Sequence, residues 1–228
     1  MPTKEFITYI FNLIVVLIVV REQKYAKFKL ILALLVFSYF FRSYYLLVGI
    51  VSIAIYYGSK IKFKNKKLLI ISIGITTVVF LSLSYGIVKG SYISDSTREL
   101  INSRRDAYNN TQIVSPISTD TWYGETVGIL YGIYTVNLPL NAFLYLSPHI
   151  ILFALWQLCL LVYILKIYDS KVKGDNNSEF EWLFYYGIAY FLIQGLFEPD
   201  LGSAVRHKAG IFPIIFFMLY YDQFRKKV

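Results

Sequence analysis

The residues best equipped for chemistry lie in one stretch, Glu198-Pro-Asp-Leu-Gly-Ser-Ala-Val-Arg206-His207-Lys208-Ala-Gly-Ile-Phe-Pro213. It sets two carboxylates, a guanidinium, an imidazole and an ammonium between two apolar runs, 180–197 and 211–221. Each charge near mid-bilayer costs about 2.5–3.5 kcal/mol on insertion scales, so such a cluster is a functional candidate by default. Pro199, Gly202, Gly210 and Pro213 interrupt regular helix around it. The plain alternative is a polar hairpin that lets two helices turn outside the bilayer. Further guanidinium groups stand at Arg42, Arg98, Arg104 and Arg105. A planar guanidinium fork suits phosphate oxygens and keeps its charge at any relevant pH.

Other chemistries find little support. The two histidines, His149 and His207, are far apart, and no Cys/His/carboxylate spacing resembles a metal box, so no metal and no cofactor are expected. No Walker, dinucleotide-binding or nucleophile-elbow pattern occurs. The single Cys159 lies inside an apolar run, where a packing role outweighs a nucleophilic one. Asn109-Asn-Thr111 and Asn176-Asn-Ser178 match glycosylation sequons, but triplets this short arise by chance. The net charge of +9 does not point to nucleic acid, because the lysines sit in short loops between apolar runs. That is how membrane topology is encoded.

The elements that would position these groups are apolar helices. With 57% apolar and 18% aromatic residues in 228, the expected class is an all-α, polytopic membrane helix bundle. Apolar segments cover 6–20, 30–41, 46–57, 68–88, 149–165, 180–197 and 211–221. Loops 21–29, 60–67 and 166–181 and the tail 222–228 hold 15 of the 23 Lys and Arg and are assigned to the cytoplasm. Both 89–125 and Ser147 must then be external, so the Gly-, Pro- and Asn-containing segment 126–147 should be re-entrant or interfacial. The count is seven crossings in one integral membrane domain, N-terminus outside and C-terminus cytoplasmic. Residues 89–125 form a long extracytoplasmic loop and 195–210 a second one. The outer segments carry eight basic and eight acidic residues, so their arginines are not needed to set topology. Pairing with lipid headgroups or neighbouring acids is the ordinary account of them.

Ser96-Thr-Arg-Glu99 has the spacing of a capping box, which predicts a short external helix starting near Thr97. Arg98 and Arg105 would share a face of it at headgroup level, where a pyrophosphate-linked lipid is a natural ligand. The competing account is an amphipathic helix resting on anionic lipid.

Taken in order, Arg42-Ser-Tyr44, Ile101-Asn-Ser-Arg-Arg105, Trp122-Tyr-Gly, Leu144-Tyr-Leu-Ser-Pro148, Ala154-Leu-Trp-Gln-Leu158 and Gly202-Ser-Ala-Val-Arg-His-Lys208 with Pro213 resemble the C-terminal half of bacterial O-antigen and exopolysaccharide repeat-unit polymerases of the Wzy type. The resemblance covers roughly residues 40–222, and its motifs are degenerate. Such polymerases usually have more than seven spans, so the resemblance implies a truncated or split form. It implies a glycosyltransferase of the bacterial inner membrane, working on the outer face. A growing glycan would move from undecaprenyl pyrophosphate to a sugar hydroxyl of another lipid-linked repeat unit. Membrane lipids and other polysaccharide-assembly membrane proteins are the further partners implied. Arg206 is then the first choice for the pyrophosphate, with Arg104, Arg105 and Arg42 behind it. His207, Glu198 and Asp200 are unranked candidates for base or orienting group. Trp122 and Tyr123 could stack on sugar or anchor the chain at the interface. Rival readings are a transporter or flippase of lipid-linked glycan and a non-catalytic membrane subunit.

Overall fold

The computed structural model describes residues 3–21, 25–104, 111–145, 147–172 and 178–225, and these are overwhelmingly helical, with no strand among them. Helix α1 (Lys4–Arg21) carries Glu5 in its first turn and Arg21 in its last, both matched to the helix dipole. Helices α2 (Ala26–Phe40) and α3 (Tyr44–Ser59) meet at the Phe41–Ser43 corner. Helix α4 (Lys66–Lys89) ends at Gly90, whose φ of 79° and N–H to Gly86 O bond close it in the left-handed manner glycine favours. A π-helical turn, Asp95–Glu99, leads into the short α5 (Leu100–Ser103).

Helix α6 (Trp122–Asn137) starts at Thr121, whose hydroxyl accepts from Gly124 N at 3.2 Å. It stops before Pro139, and a 3-10 helix, Leu140–Tyr145, follows. Then come α7 (Pro148–Ile167) with a terminal π turn (Tyr168–Val172), α8 (Ser178–Phe197), α9 (Leu201–Gly210), α10 (Phe212–Leu219) and α11 (Tyr221–Arg225). Asp200 caps α9, its Oδ1 accepting from Ser203 N at 2.6 Å. Pro213 sits in the first turn of α10, where its missing N–H costs nothing.

The helix predicted to begin near Thr97 has already begun at Ile93 and Ser94, so the Ser96–Glu99 spacing lies inside helix and caps nothing. Thr97 Oγ1 donates back to Ile93 O, as a hydroxyl within a helix does. Arg98 is fully buried instead of facing headgroups, and Arg105 lies outside the described residues.

Among the described residues, two helical stretches are long and apolar enough to cross a membrane, Lys66–Lys89 and Pro148–Val172. Only 22% and 33% of their apolar windows are buried within the protein, so most of that surface faces outward. Shorter apolar helices cover Phe28–Phe40 and Tyr44–Ser59. On α2, Phe28, Ile31, Leu35, Tyr39 and Phe40 are all exposed. Apolar surface of this extent is left for lipid or a partner to cover.

The chain folds as two compact units. The first combines residues 1–74, 162–190 and 206–228, and the second 75–161 and 191–205. Aromatic rings fill the first: Phe11 stacks on Phe37 at 3.9 Å between centroids, and Tyr45 meets both edge-on. Phe180, Phe184, Phe217 and Tyr221 form a similar group. Smaller residues, Ile113, Val136, Ala142, Phe153, Leu201 and Ala204 among them, make the core of the second.

Candidate functional site

In the first unit the polar centre grows from one residue inside the α1 apolar run. Asn12, fully buried, donates to Tyr45 Oη at 3.1 Å, to Gly210 O at 3.0 Å and to Thr8 O at 3.0 Å, and accepts from Tyr186 Oη at 3.4 Å. One amide thus ties α1, α3, α8 and α9 together. A buried amide must find such partners, and here they fix which helix ends meet. Gly210 allows the approach, since a Cβ there would lie 2.8 Å from Thr8 Cγ2 and 3.3 Å from Glu5 O. His207, one turn earlier on α9, is brought to the first turn of α1.

There Glu5 Oε1 lies 3.2 Å from Arg42 Nη2 and 3.8 Å from His207 Nε2. Tyr44 Oη accepts from Arg42 Nη1 at 2.9 Å, and Tyr190 Oη donates to His207 O at 3.1 Å. The Glu5 and His207 side chains keep 32% and 30% exposure and Arg42 only 10%, so solvent reaches a guanidinium that is otherwise enclosed. The Glu5 carboxyl is held below its usual pKa, first by backbone hydrogen bonding, then by the charges of Arg42 and His207 against the opposing effect of burial. Burial works against the Arg42 charge, but the facing Tyr44, Tyr190 and Tyr45 oxygens favour it by more and move its pKa up.

In the second unit the buried centre is Arg98, fully buried. Its Nε donates to Glu99 Oε1 at 3.1 Å, and its Nη1 to Gly128 O at 3.2 Å and Gly195 O at 3.4 Å. The buried Nη2 has no hydrogen-bond partner. Room for the guanidinium comes from two glycines of α6, for a Cβ at Gly128 would lie 3.2 Å from Nη2 and one at Gly132 would collide with Nη1. One turn before Gly128, the fully buried Glu125 Oε1 accepts from Ser82 Oγ, from Ser94 Oγ at 2.8 Å and from Ser94 N at 3.2 Å. Glu198 is also buried, taking Gln194 Nε2 at 3.0 Å on Oε1 and Ser203 Oγ at 2.5 Å on Oε2.

The sequence candidates therefore fall into separate environments. Arg42 and His207 meet on one carboxylate. Glu198 and Asp200 share Ser203, and both are buried, one in a side-chain network and the other capping α9. Arg206 is exposed on α9, beside His207 in sequence, and Arg104 is exposed at the end of α5. Trp122 and Tyr123 are exposed by 65% and 50%, edge-to-face at 5.7 Å, which leaves their outer faces open. Arg105 is outside the described residues. Among those residues no group of three or more His, Cys, Asp or Glu could hold a metal.

Sequence reading missed Glu5, Asn12 and Glu125 as organising residues, and it set Arg98 at headgroup level where the structure buries it. Glu5 and Asn12 had a visible signal, each being a polar residue at the edge of or within an apolar run. Arg98 was hidden by the capping-box spacing, and Glu125 by lying at the expected end of a polar loop.

Comparison with protein-family models, with curated proteins and with solved structures gives no match.

Proposed function

We propose that this chain is a multi-pass protein of the bacterial inner membrane that polymerises undecaprenyl-pyrophosphate-linked oligosaccharide repeat units for surface polysaccharide on the outer face. The proposed topology has about seven crossings, with the N-terminus outside. The observation that carries the reading is the meeting of Arg42 and His207, distant in sequence, in a partly exposed polar cluster among aromatic helices. Glycosyl transfer from a lipid diphosphate needs two things at the reacting centre. The bond from the anomeric carbon to the diphosphate oxygen breaks with its electron pair on that oxygen, and a nearby cation stabilises the charge. The acceptor hydroxyl must lose a proton as its oxygen forms the new bond. Arg42, with exposed Arg206 beside His207 in sequence, supplies cationic charge of the right kind. Of the three base candidates His207 is the accessible one, since Glu198 and Asp200 are buried against Ser203.

Deleting the gene should leave single repeat units on the cell surface in place of polysaccharide ladders. Arg42→Ala should do the same with the protein still in the membrane at its usual level. Full-length ladders in either strain would overturn the assignment. Transport of a lipid-linked glycan is the second reading, favoured by Arg98 and Glu125, two charged residues fully enclosed in a helical unit. It would give no surface glycan at all, with lipid-linked units retained inside.

A further inference from the structure

Glu5 sits where a bound anion would sit. One of its oxygens faces both Arg42 Nη2, at 3.2 Å, and His207 Nε2, at 3.8 Å, and all three side chains retain some exposure. Exposed Lys4 precedes it on α1, and exposed Arg206 precedes His207 on α9. The surroundings hold Arg42 without Glu5, because Tyr44 fixes its other terminal nitrogen and the Asn12–Gly210 contact fixes the α9 end. The pair is open to water on its Glu5 side, where screening limits its worth and leaves room for exchange with a better partner. A phosphate oxyanion, with more charge and more oxygens for the guanidinium fork, is such a partner.

We propose that Glu5 is a resident counter-ion occupying an oxyanion site on Arg42 and His207, and that a phosphate-class anion binds there by displacing it. The inference rests on the site used in the functional reading above, but not on the reaction assigned to it. Glu5 then weakens anion binding instead of supporting it, which separates this role from simple bracing of α1.

The test uses the full chain in phosphatidylcholine nanodiscs, with inorganic pyrophosphate as the probe and calorimetry as the readout. Glu5→Gln keeps the shape and removes the charge, and should bind pyrophosphate roughly fivefold more tightly, the scale of one partly exposed ion pair. Arg42→Ala should lose binding in either background. In the wild-type chain, pyrophosphate should shift the imidazole NMR signal of His207 and leave that of His149, the other histidine, in place. Equal or weaker binding by Glu5→Gln, or an unmoved His207 signal in the wild type, would overturn the proposal. The wild-type measurement decides the matter even if the variant does not fold. Adding phosphatidic acid to the nanodiscs distinguishes the source of the anion. Competition with pyrophosphate identifies a headgroup site, and undiminished binding identifies a site for a soluble or substrate-borne diphosphate. Intact ladders after gene deletion, together with tighter binding by Glu5→Gln, would leave the anion site standing with a different function. Lost ladders with no Glu5→Gln effect would leave polymerisation standing and make Glu5 structural.

Discussion

At Arg98 a whole guanidinium is removed from water and given one carboxylate and two backbone carbonyls in exchange. Both carbonyls belong to glycines, one on α6 and one on α8, so one side chain joins the two helices. Removing it leaves the Gly128 and Gly195 oxygens without this donor and Glu99 without its counter-ion. Arg98→Ala should therefore destabilise the protein by about 3 kcal/mol, the cost of breaking a buried charge pair. Thermal unfolding in detergent measures this, and a variant as stable as the parent would mean the guanidinium is replaceable by water. The importance of Arg98 was not legible in the sequence. Its neighbours Ser96 and Glu99 carry a helix-start spacing, and nothing local reveals that the helix has begun at Ile93 or that glycines thirty or more residues away open a slot for it. Arg42 was legible because it interrupts apolar sequence alone. Its pairing with Glu5 was not, since contact across the chain depends on Asn12 and Gly210 bringing α1 and α9 together.

Glycines set the approach of α6 and α8 in the second unit. A Cβ on Gly195 would lie 2.6 Å from the Ile133 backbone nitrogen, and one on Gly132 would strike the Gly195 carbonyl oxygen. The obstacles are backbone atoms, which cannot rotate aside as a side-chain tip can. Close glycine contacts of this kind are how helices associate where lipid offers no hydrophobic gain. Gly195→Ala should then cost about 1–3 kcal/mol by overpacking. It should also weaken the Asn137 Nδ2 to Phe191 O bond, 2.9 Å, formed one turn further along the same pair of helices. A lower midpoint in thermal unfolding would show the first effect, and faster amide exchange along α6 the second. An unchanged midpoint would mean the helices separate without penalty. The glycines and Pro139 were visible in the sequence as breaks in a poor spanning segment. Their packing role was not, because helix 122–137 begins four residues before the boundary that apolar content suggested. Thr121, a capping hydroxyl, marks the true start.

At the scale of the chain, helical class and the apolar runs are what composition and charge spacing make readable, since they depend on residue types alone. The two helical stretches long and apolar enough to cross a membrane, Lys66–Lys89 and Pro148–Val172, coincide with the apolar runs 68–88 and 149–165. The proposed seven crossings are a stronger statement, resting on the fifteen Lys and Arg assigned to one side. That assignment has a consequence for each loop separately. Lys60–Lys67, with five lysines, must face the cytoplasm, and Thr111–Thr121 must face outward. Cys159 is the single cysteine, so Cys159→Ser provides a background for single-cysteine reporters. Asn65→Cys and Ser118→Cys fall in these two exposed loops. In intact spheroplasts a membrane-impermeant maleimide should label Ser118→Cys and leave Asn65→Cys unlabelled until the membrane is opened. Labelling of both from outside would break the charge-based topology, and labelling of neither would bring residue 118 to the cytoplasmic face. The reversed pattern would invert the whole chain and move the Glu5–Arg42–His207 cluster away from the face where polymerisation is proposed. The sidedness experiment therefore bears on the functional reading as directly as any substitution within the cluster.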